Sequence, residues 1–108
     1  MDRLIESRYE LDLSKSQMKK IGFRYDYDLE NYIYKFPVYK NKGIPLIFCK
    51  LGIDEDTDIV WFNVYNADNT LYTPYYDKTY GNNSVVAEIE SAILYKLNKL
   101  GAVKVDSK

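Results

Sequence analysis

The chain has 108 residues, with 15 Lys and Arg, 16 Asp and Glu, and a formal net charge of −1. This length predicts one domain spanning residues 1–108. The charge argues against dominant binding of nucleic-acid phosphates, since such domains carry a basic excess. The absence of histidine removes the commonest general base and the commonest metal ligand. We therefore expect a protein that is not an enzyme and that needs no cofactor or metal ion.

The first ten residues are charged and contain no apolar run, which predicts that no secretory signal is present. No stretch approaches the roughly 20 apolar residues that span a bilayer, and a single cysteine cannot form an intrachain disulfide. These features predict a cytoplasmic protein without a membrane contact. Twelve lysines stand against three arginines, a bias towards A/T-rich codons that is compatible with a phage or mobile-element origin.

The first predicted helix runs from Lys15 to Ile21. Ser14 and Gln17 have capping-box spacing, in which each side chain satisfies a free backbone N–H. Gly22 stands where the left-handed residue that ends a helix is expected. Upstream, the alternation of Tyr9, Leu11 and Leu13 with polar residues predicts a short strand, and a helix beginning near Leu4 is the alternative.

A period of two then predicts an antiparallel meander. The first strand lies within Phe23 to Leu29 and turns near Asp28 to Asn31. The three strands that follow are predicted at Tyr32 to Lys40, Ile44 to Ile53, and Asp58 or Ile59 to Tyr65. Turns at residues 40–43 and 54–57 connect them.

The chain from Asn66 to Asn83 reads as irregular, and an irregular loop longer than roughly 12–15 residues is often functional. A helix begins at Ser84, capped by Ser84 or Asn83, and ends at Gly101. Its apolar stripe consists of Val86, Ile89, Ile93, Leu97 and Leu100. The last residues form a tail or, through Val103 and Val105, a short edge strand.

The predicted fold is α+β: an antiparallel meander of about four strands, a short N-terminal helix, and a longer C-terminal helix packed on one sheet face. The turn lengths pair Phe36 with Ile47 and Cys49 with Phe62. One face is then almost wholly apolar and should lie beneath the C-terminal helix. The second face carries Ile33, Lys35, Tyr39, Leu46, Phe48, Lys50, Ile59, Trp61, Asn63 and Tyr65. If nothing covers this second face, it is a candidate interaction surface.

Three motifs could carry chemistry. Asp54, Asp56 and Asp58 begin like a calcium loop, but Ile59 replaces the required glycine, so we read them as a solvated turn. Cys49 lies in an apolar strand and is predicted to be buried and inert. Asp26 and Asp28 are predicted to solvate the outer side of a hairpin.

Tyrosine is the most informative residue type, with twelve copies. Tyr supplies rigid contact area with a polar tip at low entropic cost, so a loop rich in Tyr favours recognition of a protein partner. The alternative is that some of these rings pack on the core. The candidate partner-binding residues are Tyr72, Tyr75, Tyr76, Asp77, Lys78 and Tyr80 in the loop, and Trp61, Tyr39, Tyr65, Lys35 and Lys50 on the second face.

The leading interpretation is an inhibitor or adaptor that binds a protein partner through the loop and the second face. A homodimer through the same face is its nearest variant. Aromatic and lysine side chains on a sheet also suit single-stranded nucleic acid, which is the second interpretation. A small-ligand-binding domain, with a pocket between helix and sheet, is the third.

Overall fold

The computed structural model describes residues 3–77 and 84–105. Their strands are β1 (Arg8–Glu10), β2 (Arg24–Asp26), β3 (Asn31–Asn41), β4 (Ile44–Ile53), β5 (Val60–Asn66) and β6 (Val103–Val105). Their α-helices are α1 (Lys15–Ile21) and α2 (Ser84–Leu100), and two 3₁₀ helices span Leu4–Glu6 and Thr73–Tyr76. Neither α1 nor α2 has the length and apolar character needed to cross a membrane.

The main sheet is a four-stranded antiparallel meander in the order β2-β3-β4-β5, which confirms the predicted α+β fold. A second, two-stranded sheet joins β1 to β6, with Tyr9 opposite Lys104. Val103–Val105 therefore forms the strand that was the alternative to a tail. This pairing ties the end of the described chain to its beginning.

The ends of α1 follow the local sequence. The Ser14 hydroxyl accepts the Gln17 N–H at 3.1 Å, and the Gln17 side chain accepts the Ser14 N–H at 2.8 Å, which completes the capping box. Gly22 ends the helix with φ at +121°, a value that L side chains rarely adopt. The prediction for α1 is therefore confirmed at both ends.

β2 is shorter than predicted and stops at Asp26. The Asp26 Oδ1 accepts the backbone N–H groups of Asp28 and Leu29 at 2.9 and 3.0 Å, and this bends the chain into a turn. Glu30 completes the turn with a positive φ of 51°. Asp26 thus shapes the hairpin, because its carboxylate competes with strand pairing for backbone donors.

The predicted register is wrong by two residues in both long hairpins. Phe36 pairs with Cys49, and Cys49 pairs with Val64. A shift of two keeps every side chain on its predicted face, because strand side chains alternate with a period of two. The predicted apolar face is therefore the core face despite the slip.

Tyr39 is the exception to the predicted face assignment. The β3–β4 pairing shifts register on both sides of Tyr39, which stands opposite Ile47 of the core face and packs against the core. An extra residue in one strand reverses the alternation beyond it. The prediction that Tyr39 lies on the second face is wrong for this reason.

The core lies between the main sheet and the helices. Val86, Ile89, Ile93 and Leu97 of α2 are buried in one cluster with strand residues of the core face. Met18 and Ile21 of α1 pack against the same cluster. Both helices therefore cover the core face, and we call the opposite side of the main sheet the outer face.

Candidate functional site

The tyrosine-rich segment is folded against the domain where the structure describes it. Thr73–Tyr76 forms a 3₁₀ helix that begins with Pro74 in its first turn. The Tyr75 side chain has no exposed surface, and its ring contacts Phe62 and Tyr76 with centroids 6.3 and 5.3 Å away. The expectation of an irregular loop is wrong for these residues, and the Tyr75 side chain is part of the core rather than a contact surface.

The side chains of Arg3 and Glu90 hold Tyr75 in place, and we call the three residues the Tyr75 clasp. The Tyr75 hydroxyl donates a hydrogen bond to Glu90 Oε1, and the Leu4 N–H donates to Glu90 Oε2 at 3.1 Å. The Arg3 guanidinium lies 4.5 Å from the Tyr75 ring centroid and 3.8 Å from the Glu90 carboxylate. Burial, and next the hydrogen bond to Glu90, raise the pKa of the Tyr75 phenol.

The same segment closes the free edge of β5. The Tyr76 hydroxyl accepts the Val64 N–H at 2.9 Å and donates to Asn63 Oδ1 at 3.1 Å. The Tyr72 N–H donates to the Val64 carbonyl at 2.9 Å. An unpaired strand edge is a template for pairing with another chain. One role of Tyr72 and Tyr76 is therefore to hydrogen-bond the backbone groups of Val64 at this edge within the molecule.

The other candidate residues of the segment differ in position. Tyr72 and Tyr76 are half-buried and pack against the core, whereas Asp77 is exposed. Lys78 and Tyr80 lie outside the described residues. A contact role for these five residues stays a prediction.

The outer face keeps four of the predicted contact residues together. Its cross-strand rows follow from the register: Ile33 with Gly52 and Trp61, Lys35 with Lys50 and Asn63, and Pro37 with Phe48, Tyr65 and Leu71. Lys35 is exposed, while Lys50, Phe48, Trp61 and Tyr65 are half-buried. Solvent reaches this face because α1 and α2 both pack on the other side of the sheet.

Each outer-face lysine leans over an aromatic ring in the next row. Lys35 Nζ lies 4.7 Å from the Phe48 ring centroid, and Lys50 Nζ lies 4.8 Å from that of Tyr65. An ammonium above a ring face is attracted by the ring quadrupole. These contacts place two cations above an aromatic pair, as the sequence suggested for this face.

Trp61 lies flat over Gly52. A Cβ added at Gly52 would be 2.4 Å from Trp61 Cζ2 and 2.9 Å from Nε1, so only glycine leaves room for the indole. The absence of a side chain in a strand interior often marks such a close approach. Gly52 thus fixes the position of Trp61 on the outer face.

A groove of about 400 Å³ opens on the outer face beside the two lysines. We call it the basic groove; it is lined by Gly22, Arg24, Tyr25, Asp26, Ile33, Lys35, Lys50 and Asn69. Three of these side chains are cationic and one is acidic, which leaves a net excess of two positive charges. Within residues 3–77 and 84–105, no carboxylate forms an ion pair with Arg24, Lys35 or Lys50.

A larger cavity of about 510 Å³ lies between β3 and α2 and contains Tyr39. Its lining is mainly apolar and includes the small residues Ala87 and Ala92. Lys40 and Glu88 carry opposite charges there. This cavity therefore has neither the charge excess nor the aromatic pair of the outer face. Tyr39 lines it and so lies apart from the other predicted contact residues.

Sequence reasoning missed Arg24 and Asn69 as outer-face groove residues. Arg24 stands opposite Ile33, a residue of the predicted second face, and extending the register to β2 would have found it. Asn69 reaches the groove from the turn after β5, where it adopts a positive φ of 74°. Local hydrogen bonds within residues 66–70 hold that turn, but no local pattern shows that it lies beside Arg24 of the distant strand β2.

The three motifs with candidate chemistry have structural roles, and that of Asp26 is the turn after β2 described above. Asp54 Oδ1 accepts the backbone N–H groups of Asp56 and Thr57, which shapes the β4–β5 turn. Cys49 is fully buried as predicted, and burial raises the pKa of its thiol. A thiol held in its neutral form is a poor nucleophile.

No protein-family model matches this sequence, and no curated protein or solved structure matches it.

Proposed function

We propose that this is a non-enzymatic interaction domain, an inhibitor or adaptor, that binds a protein partner through the outer face. The observation that carries the proposal is the aromatic and cationic composition of a sheet face with no α-helix of the described residues packed on it. Tyr and Trp are enriched among the residues that dominate binding energy. Trp61 and Tyr65 are the proposed anchors, with Lys35 and Lys50 beside them.

An apolar region next to these residues favours a protein over other partners. Ile44 is 63% exposed, Leu46 40% and Leu71 45%, and Leu71 continues the row of Phe48 and Tyr65. Exposed aliphatic groups gain from burial against another protein, but they offer nothing to a phosphate backbone. The partner surface should therefore combine apolar groups with acidic side chains that face Lys35 and Lys50.

The described part of the tyrosine-rich segment supports this surface from behind. Tyr76 bonds to Asn63 of the outer face and to the backbone of Val64, so it fixes the middle of β5. Residues held by such supporting contacts keep a binding surface in one geometry, which lowers the entropic cost of association. We place the protein in the cytoplasm, and a phage or mobile-element origin stays part of the proposal.

The test uses two leucines of matched exposure, Leu46 at 40% and Leu94 of α2 at 39%. The full chain is immobilised as the unaltered protein, Leu46→Glu and Leu94→Glu, and proteins retained from a native-host extract are quantified by mass spectrometry. We expect a partner that Leu46→Glu loses and that Leu94→Glu retains. Both variants should keep their melting temperature, because substitutions at exposed positions change stability by only about 0.5 kcal/mol.

Two outcomes would overturn the proposal. One is the same set of retained proteins for all three forms. The other is loss of the partner with Leu94→Glu alone, which would place the contact on α2. Sedimentation of the purified chain at several concentrations tests the homodimer variant, and a dimer through this face should dissociate in Leu46→Glu.

Single-stranded nucleic acid is the second candidate, favoured by the lysine–ring pairs at 4.7 and 4.8 Å. Bases stack on such rings while cations neutralise phosphates. Its affinity for an oligonucleotide should fall steeply with salt, with a slope of about −0.7 for each phosphate neutralised. A binding constant independent of salt would exclude it.

A further inference from the structure

The basic groove combines the size and charge of a small-molecule site. Its volume of about 400 Å³ falls within the range of roughly 300–1,000 Å³ that is typical of ligand pockets. Its floor is the buried side chain of Ile33, which is 7% exposed. Charged and polar groups stand around this floor, an arrangement that suits a ligand with one anionic and one less polar part.

Lys35 and Lys50 stand directly opposite each other in the β3–β4 pairing. Like charges at such positions destabilise a sheet, and in the described residues no acidic side chain forms an ion pair with either lysine. Arg24 adds a third cation on the same face. In this structure each lysine ammonium lies over a ring of the next row, that of Lys35 over Phe48 and that of Lys50 over Tyr65. A bound anion would add the opposite charge that the described residues do not place beside these cations.

The acidic member of the lining does not neutralise the groove. Asp26 Oδ1 already accepts two backbone N–H groups, from Asp28 and Leu29. With Asp26 counted in full, the lining still carries a net excess of two positive charges. This excess matches the charge of a phosphate monoester dianion, and a guanidinium such as that of Arg24 binds phosphate oxygens in a bidentate manner.

One neutral polar side chain completes the groove. The Asn69 side-chain amide can donate and accept hydrogen bonds, and it makes none to the described residues. Tyr25 also borders the groove, but it stands opposite Tyr32 in the β2–β3 pairing and its ring packs on the Tyr32 ring, with centroids 5.2 Å apart. The Asn69 amide suits the base or sugar attached to a phosphate, whereas inorganic phosphate alone would leave it unused.

We infer that the basic groove binds a small phosphorylated molecule of nucleotide size, with its phosphoryl group held by Arg24, Lys35 and Lys50. The groove shares Lys35 and Lys50 with the proposed protein contact but none of its exposed aliphatic residues, and its ligand is a free small molecule. The inference therefore goes beyond the proposed function and does not depend on it.

The experiment is a titration of the full chain, followed by NMR of backbone amides at constant ionic strength. The probes are adenosine 5′-monophosphate, adenosine, inorganic phosphate and a short oligothymidylate. We expect saturable shifts with the monophosphate that centre on Arg24, Lys50 and Asn69, weaker shifts of the same residues with phosphate, and none with adenosine. The oligothymidylate should bind no more tightly than the monophosphate.

Groove variants and a matched charge control test the assignment. Lys50→Gln and Arg24→Gln should each weaken the monophosphate about tenfold, equivalent to about 1.4 kcal/mol. Lys104→Gln removes one charge from exposed β6 and should leave the affinity unchanged. Arg24 is exposed, so its variant keeps the test valid if Lys50→Gln does not fold.

Four results would overturn the inference: no saturable shift with the monophosphate, equal binding of adenosine, an equal loss of affinity in Lys104→Gln, or tight binding of the oligothymidylate alone. The last would assign the groove to nucleic acid. None of them would alter the comparison of Leu46→Glu with Leu94→Glu, so failure here is distinguishable from failure of the protein-partner proposal.

Discussion

The Tyr75 clasp can be tested by removing one oxygen atom. Tyr75→Phe keeps the buried ring and its contacts with Phe62 and Tyr76, but it removes the hydrogen bond to Glu90. A hydrogen bond to a charged group contributes about 1.5–3 kcal/mol to stability. If the clasp holds the segment in place, Tyr75→Phe should therefore destabilise the fold without creating a cavity.

The surroundings of Glu90 place the expected loss at the lower end of that range. Its carboxylate keeps the Leu4 N–H at 3.1 Å and the Arg3 guanidinium at 3.8 Å. The side chain is also 24% exposed, so water can replace the lost donor. We expect the free energy of unfolding to fall by about 1.5 kcal/mol, which lowers the melting temperature of a domain of about 100 residues by about 6–12 °C.

The assay is urea unfolding followed by circular dichroism, with Tyr27→Phe as the matched control. The Tyr27 side chain is 85% exposed, so its variant should stay within about 0.5 kcal/mol of the unaltered protein. The urea slope should be the same in all three forms, because the surface exposed on unfolding is unchanged. Equal stability of Tyr75→Phe and Tyr27→Phe would refute the role assigned to the clasp.

Three further predictions follow from single contacts. Because the pKa of the Tyr75 phenol is raised in the folded state, the unfolded chain loses that proton first, and stability should fall as pH rises above the ordinary tyrosine pKa of about 10. Between pH 10 and pH 11 in urea titrations, Tyr75→Phe should lose about 1 kcal/mol less than the unaltered protein, and equal losses would contradict this. Gly52→Ala should displace the Trp61 indole, cost about 1–3 kcal/mol and change Trp fluorescence, whereas an unchanged emission spectrum would exclude the close contact. Lys35→Glu gains an attractive pair with Lys50, worth about 0.2–1 kcal/mol, and loses a cation–ring contact of about 0.5–1 kcal/mol. Its stability should therefore stay within about 1 kcal/mol while monophosphate binding is lost, and a large destabilisation would show that Lys35 is structural.

The predictions that succeeded depend on short-range rules. The capping box of Ser14 and Gln17 and the positive φ of Gly22 fix α1 within a few residues of chain. The apolar stripe of α2 depends only on helical period. The bounds of β4, Ile44–Ile53, agree with the prediction, because polar turns delimit an apolar run on both sides.

The predictions that failed depend on contacts between distant residues. Strand register was wrong by two because turn length alone does not fix it, and the bulge near Tyr39 has no local signature. The fate of the tyrosines depends on partners far along the chain, since Tyr75 bonds to Glu90 and Tyr76 to Val64. Composition identified the tyrosines as important, but it did not show which of them are buried and which are exposed.

These outcomes move the centre of the binding hypothesis from the loop to the outer face. A sequence that only had to fold would pair Lys35 with an acidic residue and would not place Lys50 directly opposite it. It would also have no reason to leave Ile44 and Leu46 exposed further along β4. Local rules are broken together mainly where function requires it. By contrast, Tyr72 and Tyr76 bond to the edge of β5 and Tyr75 bonds to the half-buried carboxylate of Glu90, so folding explains these three tyrosines of the segment.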